Sequence, residues 1–499
     1  MNRRRFVQTS LAAAIAASLP VGQGFAAILS ASMKVDADIN AVTGDGAEVT
    51  LKRAAVQELG ESLRGNLLLP GHEAYDDARR VMNASIDKYP ALIAQCVGSA
   101  DVKSAVDFAR ANDLLVAVKC GGHSFSGKST CDHGLMIDLS PLRGVLVDPR
   151  SQTARVGGGS LLADMDHETM SYGLVTTAGT VSHTGIGGLT TGGGFGRVGR
   201  RFGLTLDSLL SVDVITADGK FHHASLEENA DLFWGVRGGG GNFGVVTSFE
   251  FQLHPMDRTI IDGVFYYPAT EARSVLKFFA EYAVNAPDEL NIDGGMRARV
   301  GRDDYLSFHT VYSGPKNKAE AVLAPLRKAG TVLNETVKPM DYVAMQRAGD
   351  NTDPRATGSY LKSGFIPALS TELIDAIVDG FESRPETRTN LGFQQSGGAI
   401  NRIAEDATAF ANRNSEHNML LSIGWPIDSD PTDHIRWLKD YWASLLPHTE
   451  GFYTNDLHGE SVGRNRANYR GNLERLVALK NRYDPDNLFR LNANIPPSV

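Results

Sequence analysis

The stretch Lys119-Cys120-Gly121-Gly122-His123-Ser124-Phe125-Ser126-Gly127-Lys128-Ser129 brings two lysines, a thiol, an imidazole and three glycines into one short loop. Two chemistries fit it. From Gly122 onward it matches G-x-x-x-x-G-K-[ST], the phosphate loop in which backbone amides and a lysine cradle a nucleotide. From Val118 onward it reads as the end of a strand, a glycine pair and a histidine. In that reading the Gly121 and Gly122 amides form an anion nest without a helix, and His123 stands beside the bound group.

The flanking elements decide between the two. A phosphate loop needs a strand before it and a helix starting at Lys128-Ser129, because helix N-terminal amides bind the phosphates. Leu114–Val118 is apolar and reads as the strand. After Ser129, however, come Thr130, Cys131, Asp132, His133 and Gly134, and then the strand-like Leu135–Leu139. No helix fits there, so the nucleotide-binding reading is set aside. Two G-x-G-x-x-G matches, Gly194–Gly199 and Gly239–Gly244, fail in the same way. Gly203 follows the first too soon, and Val245-Val246-Thr247 after the second is a strand.

Elsewhere, Asp101 reads as an N-cap for a helix to about Ala111, with Val102, Ala105, Val106 and Ala109 at helical spacing. Val145–Val156 predicts a hairpin turned by Asp148–Ser151, and Ser211–His222 a second one around Asp218-Gly219. Ser160 caps a predicted helix that runs to Tyr172 and stops at Gly173. Residues 157–244 hold 21 of the 52 glycines, which implies backbone packed closely against something flat or anionic. Beyond His254-Pro255, helical stretches (269–284, 319–329) alternate with strand-like ones (303–312, 419–425), predicting a second domain with helices on one face of a sheet. A last helix carries Leu473, Leu476, Val477 and Lys480 and is ended by Asp484-Pro485.

With 499 residues the chain is long enough for two or more domains. Its 49 basic and 58 acidic residues give a formal charge of −9, which becomes −12 without the three arginines of residues 1–30. This mild acidity offers no electrostatic reason to expect nucleic acid or an anionic membrane as a partner. Arg3-Arg4-Arg5-Phe6-Val7, the apolar Leu11–Leu19 and the small residues at 24–27 predict a twin-arginine signal over 1–30, with export to the periplasm or beyond. Pro20, Gly22, Gln23 and Gly24 interrupt the apolar run, so no stable membrane anchor is expected. Cys96, Cys120 and Cys131 are too few for a disulfide framework; buried thiols are expected, with Cys120–Cys131 the one pairing open. No metal site is expected. Asp164-Met165-Asp166-His167-Glu168 reads as a solvated helix face, and His222 and His223 point to opposite sides of a strand.

An ordered series of motifs carries a resemblance. It runs through Leu67–Gly71 with Tyr75, Val118–Ser124, Gly134–Ser140, Gly157–Gly159, Gly185–Gly188, Gly192–Gly196, Arg201–Asp207 and Trp234–Val246. Tyr453-Thr454-Asn455, Tyr469–Asn472 and Asp484–Phe489 complete it. Over about residues 60–499 the chain resembles the berberine-bridge-enzyme-like FAD-linked oxidases, flavoproteins with a PCMH-type (vanillyl-alcohol-oxidase-type) FAD domain. The resemblance implies an α+β fold. An FAD-binding domain would span 60–255, a substrate domain with a helix-covered antiparallel sheet 256–459, and a segment at 460–499 would return to the FAD domain.

The resemblance also assigns residues. His123 would bond covalently to the flavin 8α-methyl, among the FAD contacts of Lys119, Cys120, Gly121, Gly122 and Ser124. Val181 stands where many members have a second linking cysteine, so a single link is expected. Thr180, Val181, Thr184, Gly185 and Gly188 would line the flavin, with Gly192-Gly193-Gly194 beyond them. Val245, Val246, Tyr453, Asn455 and Asn492 would complete the site. The implied activity is hydride transfer from a carbon of an alcohol, sugar or amine to FAD, with O2 as acceptor giving H2O2; a dehydrogenase using another acceptor is the alternative. Thr184 occupies the position that gates oxygen, and its valine-like size favours the oxidase. The family's usual tyrosines are replaced by Asp456 and Phe195. Asp456 and Tyr453 are therefore the candidate bases, against the reading of Asp456 as a solvated turn residue and Tyr453 as flavin packing.

Overall fold

Short β-branched runs such as Val-Ala-Val-Lys form the first sheet of the computed structural model, which describes residues 35–350, 357–456 and 462–498. The leader expected over 1–30 lies outside the described residues. Strands β1 (Asn66–Leu68), β2 (Leu92–Gln95), β3 (Val116–Lys119) and β4 (Leu135–Asp138) lie in the order β1-β2-β4-β3, with β2 and β3 parallel to β4. The helix Ser99–Ala111 links β2 to β3 and buries Val102, Ala105, Val106 and Ala109. It starts at Ser99, not at Asp101. The Asp101 carboxylate instead accepts the N–H groups of Arg64, Gly65 and Val97 at 2.9, 3.1 and 2.9 Å, tying the helix to the chain before it.

The second sheet is antiparallel. Strands β5 (Val145–Asp148), β6 (Thr153–Gly157), β7 (Leu209–Ile215), β8 (Phe221–Ser225) and β9 (Val245–Gln252) run in the order β8-β7-β9-β6-β5, and both expected hairpins are present. The helix after Ser160 spans Leu162–Met170. Ser160 does not cap it; its hydroxyl accepts from the Gly144 N–H at 3.1 Å. Asp166 on this helix is buried at 1 % exposure, not solvated. The helix Tyr342–Gln346 covers that face, and Gln346 Nε2 donates to Asp166 at 3.4 Å. Burial pushes the Asp166 carboxyl up to about 8. Helical spacing could not reveal this cover, because it comes from residues about 180 positions away.

The second domain is one antiparallel sheet. It comprises β10 (Thr259–Pro268), β11 (Leu290–Ala298), β12 (Tyr305–Tyr312), β13 (Asn334–Asp341), β14 (Thr357–Ile366), β15 (Arg388–Gln395) and β16 (His417–Pro426), in the order β13-β10-β12-β11-β15-β16-β14. Helices Ala272–Asn285, Thr371–Glu382 and Thr432–Leu445 pack on one face. Strand alternation sends Met419, Leu421, Ile423 and Trp425 of β16 into that core. Their neighbours Leu420 and Ser422 face the other way, into a cavity shared with the first domain.

The C-terminal helix Leu473–Tyr483 returns to the first domain, where Leu476, Leu479 and Tyr483 pack with Phe233, Trp234 and Phe243. A fully buried Lys480–Asp484 pair (2.5 Å) fastens it, with Lys480 Nζ also donating to the carbonyls of Asn242 and Phe489 at 2.9 and 3.0 Å. A second buried pair joins the halves. Both Arg413 Nη atoms reach Asp207, at 2.8 and 2.7 Å. The three cysteines are free thiols, so the Cys120–Cys131 pairing is absent.

Candidate active site

The cavity between the glycine loops and the polar face of the second sheet holds about 510 Å³, in the size range of a cofactor or substrate site. Strand β3 aims its loop at it. Cys120, Gly121, Gly122, His123 and Ser124 line the wall. Lys119 does not: strand alternation turns it inward, where Nζ donates to the Ala78 carbonyl. Gly122 has φ +69°, a left-handed turn that favours glycine. Gly121 presses so closely on Gly185 that a Cβ on either would overlap the other's backbone. The two loops thus form a cradle of bare backbone.

Turns, not a helix, follow Ser129. Lys128 nonetheless lines the cavity, with Nζ donating to the Asn492 carbonyl. Burial, then the nearby Lys88, lowers its ammonium to about 8. The Ser129 hydroxyl and Asn492 Oδ1 line the same wall, buried and without a partner in the protein.

His123 Nε2 lies 2.6 Å from His183 Nδ1, and His123 Nδ1 lies 3.3 Å from the Thr184 hydroxyl. Burial, then His183, pushes His123 down to about 3, so the ring is neutral at working pH. His183 was not among the sequence candidates. The one hint was its place between Val181 and Gly185; the 60-residue separation from His123 carried no signal.

Thr180, Val181, Thr184, Gly185, Gly188 and Gly192 line the cavity, as do Val245 and Val246. Gly193 (φ +143°) and Gly194 (φ +93°) lie behind it, against the expectation. A Cβ on Gly193 would sit 3.0 Å from the Tyr453 ring, and one on Gly194 would strike Thr205. Their role is to seat Tyr453. The Tyr453 oxygen accepts from Gly194 N–H at 2.8 Å and from Asn455 Nδ2 at 2.7 Å, while the ring meets Phe195 edge-on at 5.2 Å. Burial first, and Asp456 second, push this phenol above its usual range. A phenol so held is a poor base.

Asp456 is 9 % exposed and lines the cavity, which replaces the solvated-turn reading. The short 3-10 turn Thr454–Asp456 lies against β14, a placement that no local pattern encodes. Asn418 Nδ2 donates to Asp456 Oδ2 at 2.9 Å and to Gln394 Oε1 at 2.8 Å. Burial lifts the Asp456 carboxyl to about 6, with Asn418 opposing. Gln394, Asn390 and Ser422 continue the polar wall, and Asn390 Oδ1 is buried and unpartnered.

These features fit FAD. Glycine backbone suits a diphosphate, the unpartnered Ser129 and Asn492 oxygens are open to a ligand's polar groups, and Val118, Val245 and Val246 supply apolar wall. Among the described residues no group of three His, Cys, Asp or Glu could hold a metal ion, and no helix is long and apolar enough to cross a membrane.

Comparison with known proteins agrees with the site. The family described as FAD binding domain matches residues 90–225, and the one described as Berberine and berberine like matches 452–496. The chain is 32% identical over 447 residues to an FAD-linked oxidoreductase of Dictyostelium discoideum, covering 89% of this chain and 97% of that protein. Its structure is similar to 6-hydroxy-D-nicotine oxidase from Arthrobacter nicotinovorans, with TM-score 0.81, 25% identity and coverage of 88% of this chain and 99% of the other. It is also similar to a glucooligosaccharide oxidase from Acremonium strictum described with 6-S-cysteinyl, 8α-N1-histidyl FAD, with TM-score 0.79, 26% identity and coverage of 89% and 100%. The glycine cradle, the polar cavity and these similarities converge, and the chain belongs to the berberine-like family of FAD-linked oxidoreductases.

Proposed function

We propose that the protein oxidises a hydroxyl-bearing carbon of a small polar molecule, an alcohol or sugar, using FAD joined covalently to His123, with dioxygen as the electron acceptor. The observation that carries this reading is Asp456, a buried carboxyl on the cavity wall lifted to about 6. An amine carbon can give up hydride without a strong base, whereas an alcohol must lose its hydroxyl proton as hydride leaves.

FAD supplies the hydride acceptor. The protein supplies the rest. Gly121 and Gly122 would offer backbone N–H groups to the diphosphate, with Lys128 as the lysine on the cavity wall. Asp456 Oδ1 takes the substrate's hydroxyl proton, while Asn418 holds Oδ2 at 2.9 Å and fixes the carboxylate's rotation. Asn390, Gln394 and Ser422 offer amide and hydroxyl groups to further substrate hydroxyls, and the unpartnered Asn390 Oδ1 is an open acceptor. Leu361, Leu420 and Phe195 close the site with apolar surface, which strengthens electrostatic interactions inside it. Val181 offers no thiol for a second link. Arg3-Arg4-Arg5 and the apolar run after it support a twin-arginine leader over 1–30 and export after folding.

Acid precipitation tests the covalent reading. The wild-type pellet is expected to stay yellow, while His123→Ala releases all its flavin to the supernatant; a colourless wild-type pellet refutes the attachment. Peroxide formation on panels of sugars, alcohols and amines then tests substrate class and acceptor. Oxidation without stoichiometric peroxide would select the dehydrogenase reading. Thr184 borders the cavity next to His123, and Thr184→Leu narrows that approach. Reoxidation of the reduced enzyme by dioxygen, followed in stopped flow, is expected to slow by about tenfold, ~1.4 kcal/mol, with little change in the rate of reduction by substrate.

A further inference from the structure

Two imidazole nitrogens 2.6 Å apart must share one proton, because two lone pairs or two N–H groups would repel at that distance. His123 Nε2 and His183 Nδ1 are such a pair. Their ring centroids are 4.6 Å apart with planes tilted by 44°, so the contact is a hydrogen bond and not a stack. His123 is buried and neutral, and so carries a single proton. With that proton on Nε2, directed at His183, Nδ1 is left unprotonated. Nδ1 faces the Thr184 hydroxyl at 3.3 Å; Thr184 lines the cavity and His183 does not. The nitrogen on the cavity side is then the nucleophilic one.

We infer that His183 is a positioning residue for flavin attachment: it holds His123 in the tautomer with Nδ1 unprotonated and accepts the Nε2 proton as the bond to the flavin forms. This rests on the covalent reading above. The Nδ1 lone pair forms a bond to the flavin 8α-carbon, and one C–H bond of that methyl breaks. The ring system takes up the two electrons of that C–H bond. Alkylation at Nδ1 acidifies the Nε2 proton, which crosses 2.6 Å to His183. That proton and the methyl proton pass to the reduced ring or to solvent. Dioxygen then takes two electrons and two protons, giving hydrogen peroxide and restoring oxidised, attached flavin. Without His183 the proton has no such acceptor, and attachment slows although flavin can still bind.

The test uses purified full-length protein and measures acid-stable and acid-released flavin separately. His183→Phe removes the acceptor while keeping a ring. The expected result is unchanged total flavin per chain, most of it acid-released, with conversion to the acid-stable form in aerated buffer about 10²-fold slower than wild type. Added imidazole should speed that conversion in His183→Phe and not in His123→Ala. His183→Asn, which can accept at Oδ1 but cannot pass a proton on, should lie between, and it carries the same test if His183→Phe does not fold. Wild-type conversion in these variants overturns the inference. So does a parallel loss of total and acid-stable flavin, which would mark a purely structural role. A wild-type protein with no acid-stable flavin refutes the covalent reading itself, a separate and recognisable failure.

Discussion

Replacing Asp456 with Asn is expected to lower kcat/KM by about 10²–10⁴-fold, the range for loss of a general base. Flavin content should not change. The carboxyl lines the cavity, and Asn418 fixes its outer oxygen, so an amide keeps the shape and loses only the ability to take a proton. The pH profile is the sharper signature. Burial lifts the carboxyl to about 6, so wild-type kcat/KM should rise through that pH and level off above it. The variant should show no such limb. Stability should move the other way. The folded pKa lies above the unfolded value of roughly 3.9, so the unfolded chain gives up this proton first. The stability associated with Asp456 is complete below about pH 4 and is lost as pH rises through about 6. At pH 8 the Asn variant should therefore melt no lower than wild type. A variant that loses activity only because it unfolds would contradict this assignment.

The second large effect is on folding. Arg413→Met should destabilise the protein by about 3–5 kcal/mol, the cost of leaving a buried charge unpaired. Arg413 is fully buried and grips Asp207 with both terminal nitrogens, and it also donates to the Thr408 hydroxyl at 3.0 Å. Asp207 belongs to the glycine-rich half, where its carboxylate also accepts the Leu204 N–H at 2.8 Å. Arg413 follows the segment that carries Phe410, whose ring packs with Phe195 and Phe365. Losing the grip strands the Asp207 carboxylate. Arg413→Lys should recover little, because an ammonium cannot make the two-pronged contact. Asp207→Asn combined with Arg413→Met should recover part of the loss. Denaturant midpoints with unchanged slopes would report this as a pure stability change.

The glycines that line the cavity with bare backbone were legible from sequence. Glycines mark where chain passes close to chain, and the Gly121–Gly185 approach is such a place. The absence of room for a helix after Ser129 removed the phosphate-loop reading, and the turns found there agree. Strands and hairpins were legible for a similar reason, since alternation is local. Misreadings arose where a partner far along the chain sets the environment. Asp166 and Asp456 both look like surface aspartates, yet the helix Tyr342–Gln346 covers the first and Asn418 of β16 bonds the second, each far along the chain. Lys119 sits in the expected motif, but the strand turns its side chain away from the site.

By itself, then, the sequence determined the element pattern, the glycine cradle and the presence of a histidine at the flavin-attachment position. Each depends on backbone conformation, which neighbouring residues dictate. Only the tertiary structure decided which side chains meet. It buried Asp456 beside Asn418, tied the Tyr453 oxygen to Gly194 and Asn455, and set His183 against His123. Proton affinity and tautomer depend on desolvation and on partners many residues distant, so they exist only once the two domains close on one cavity.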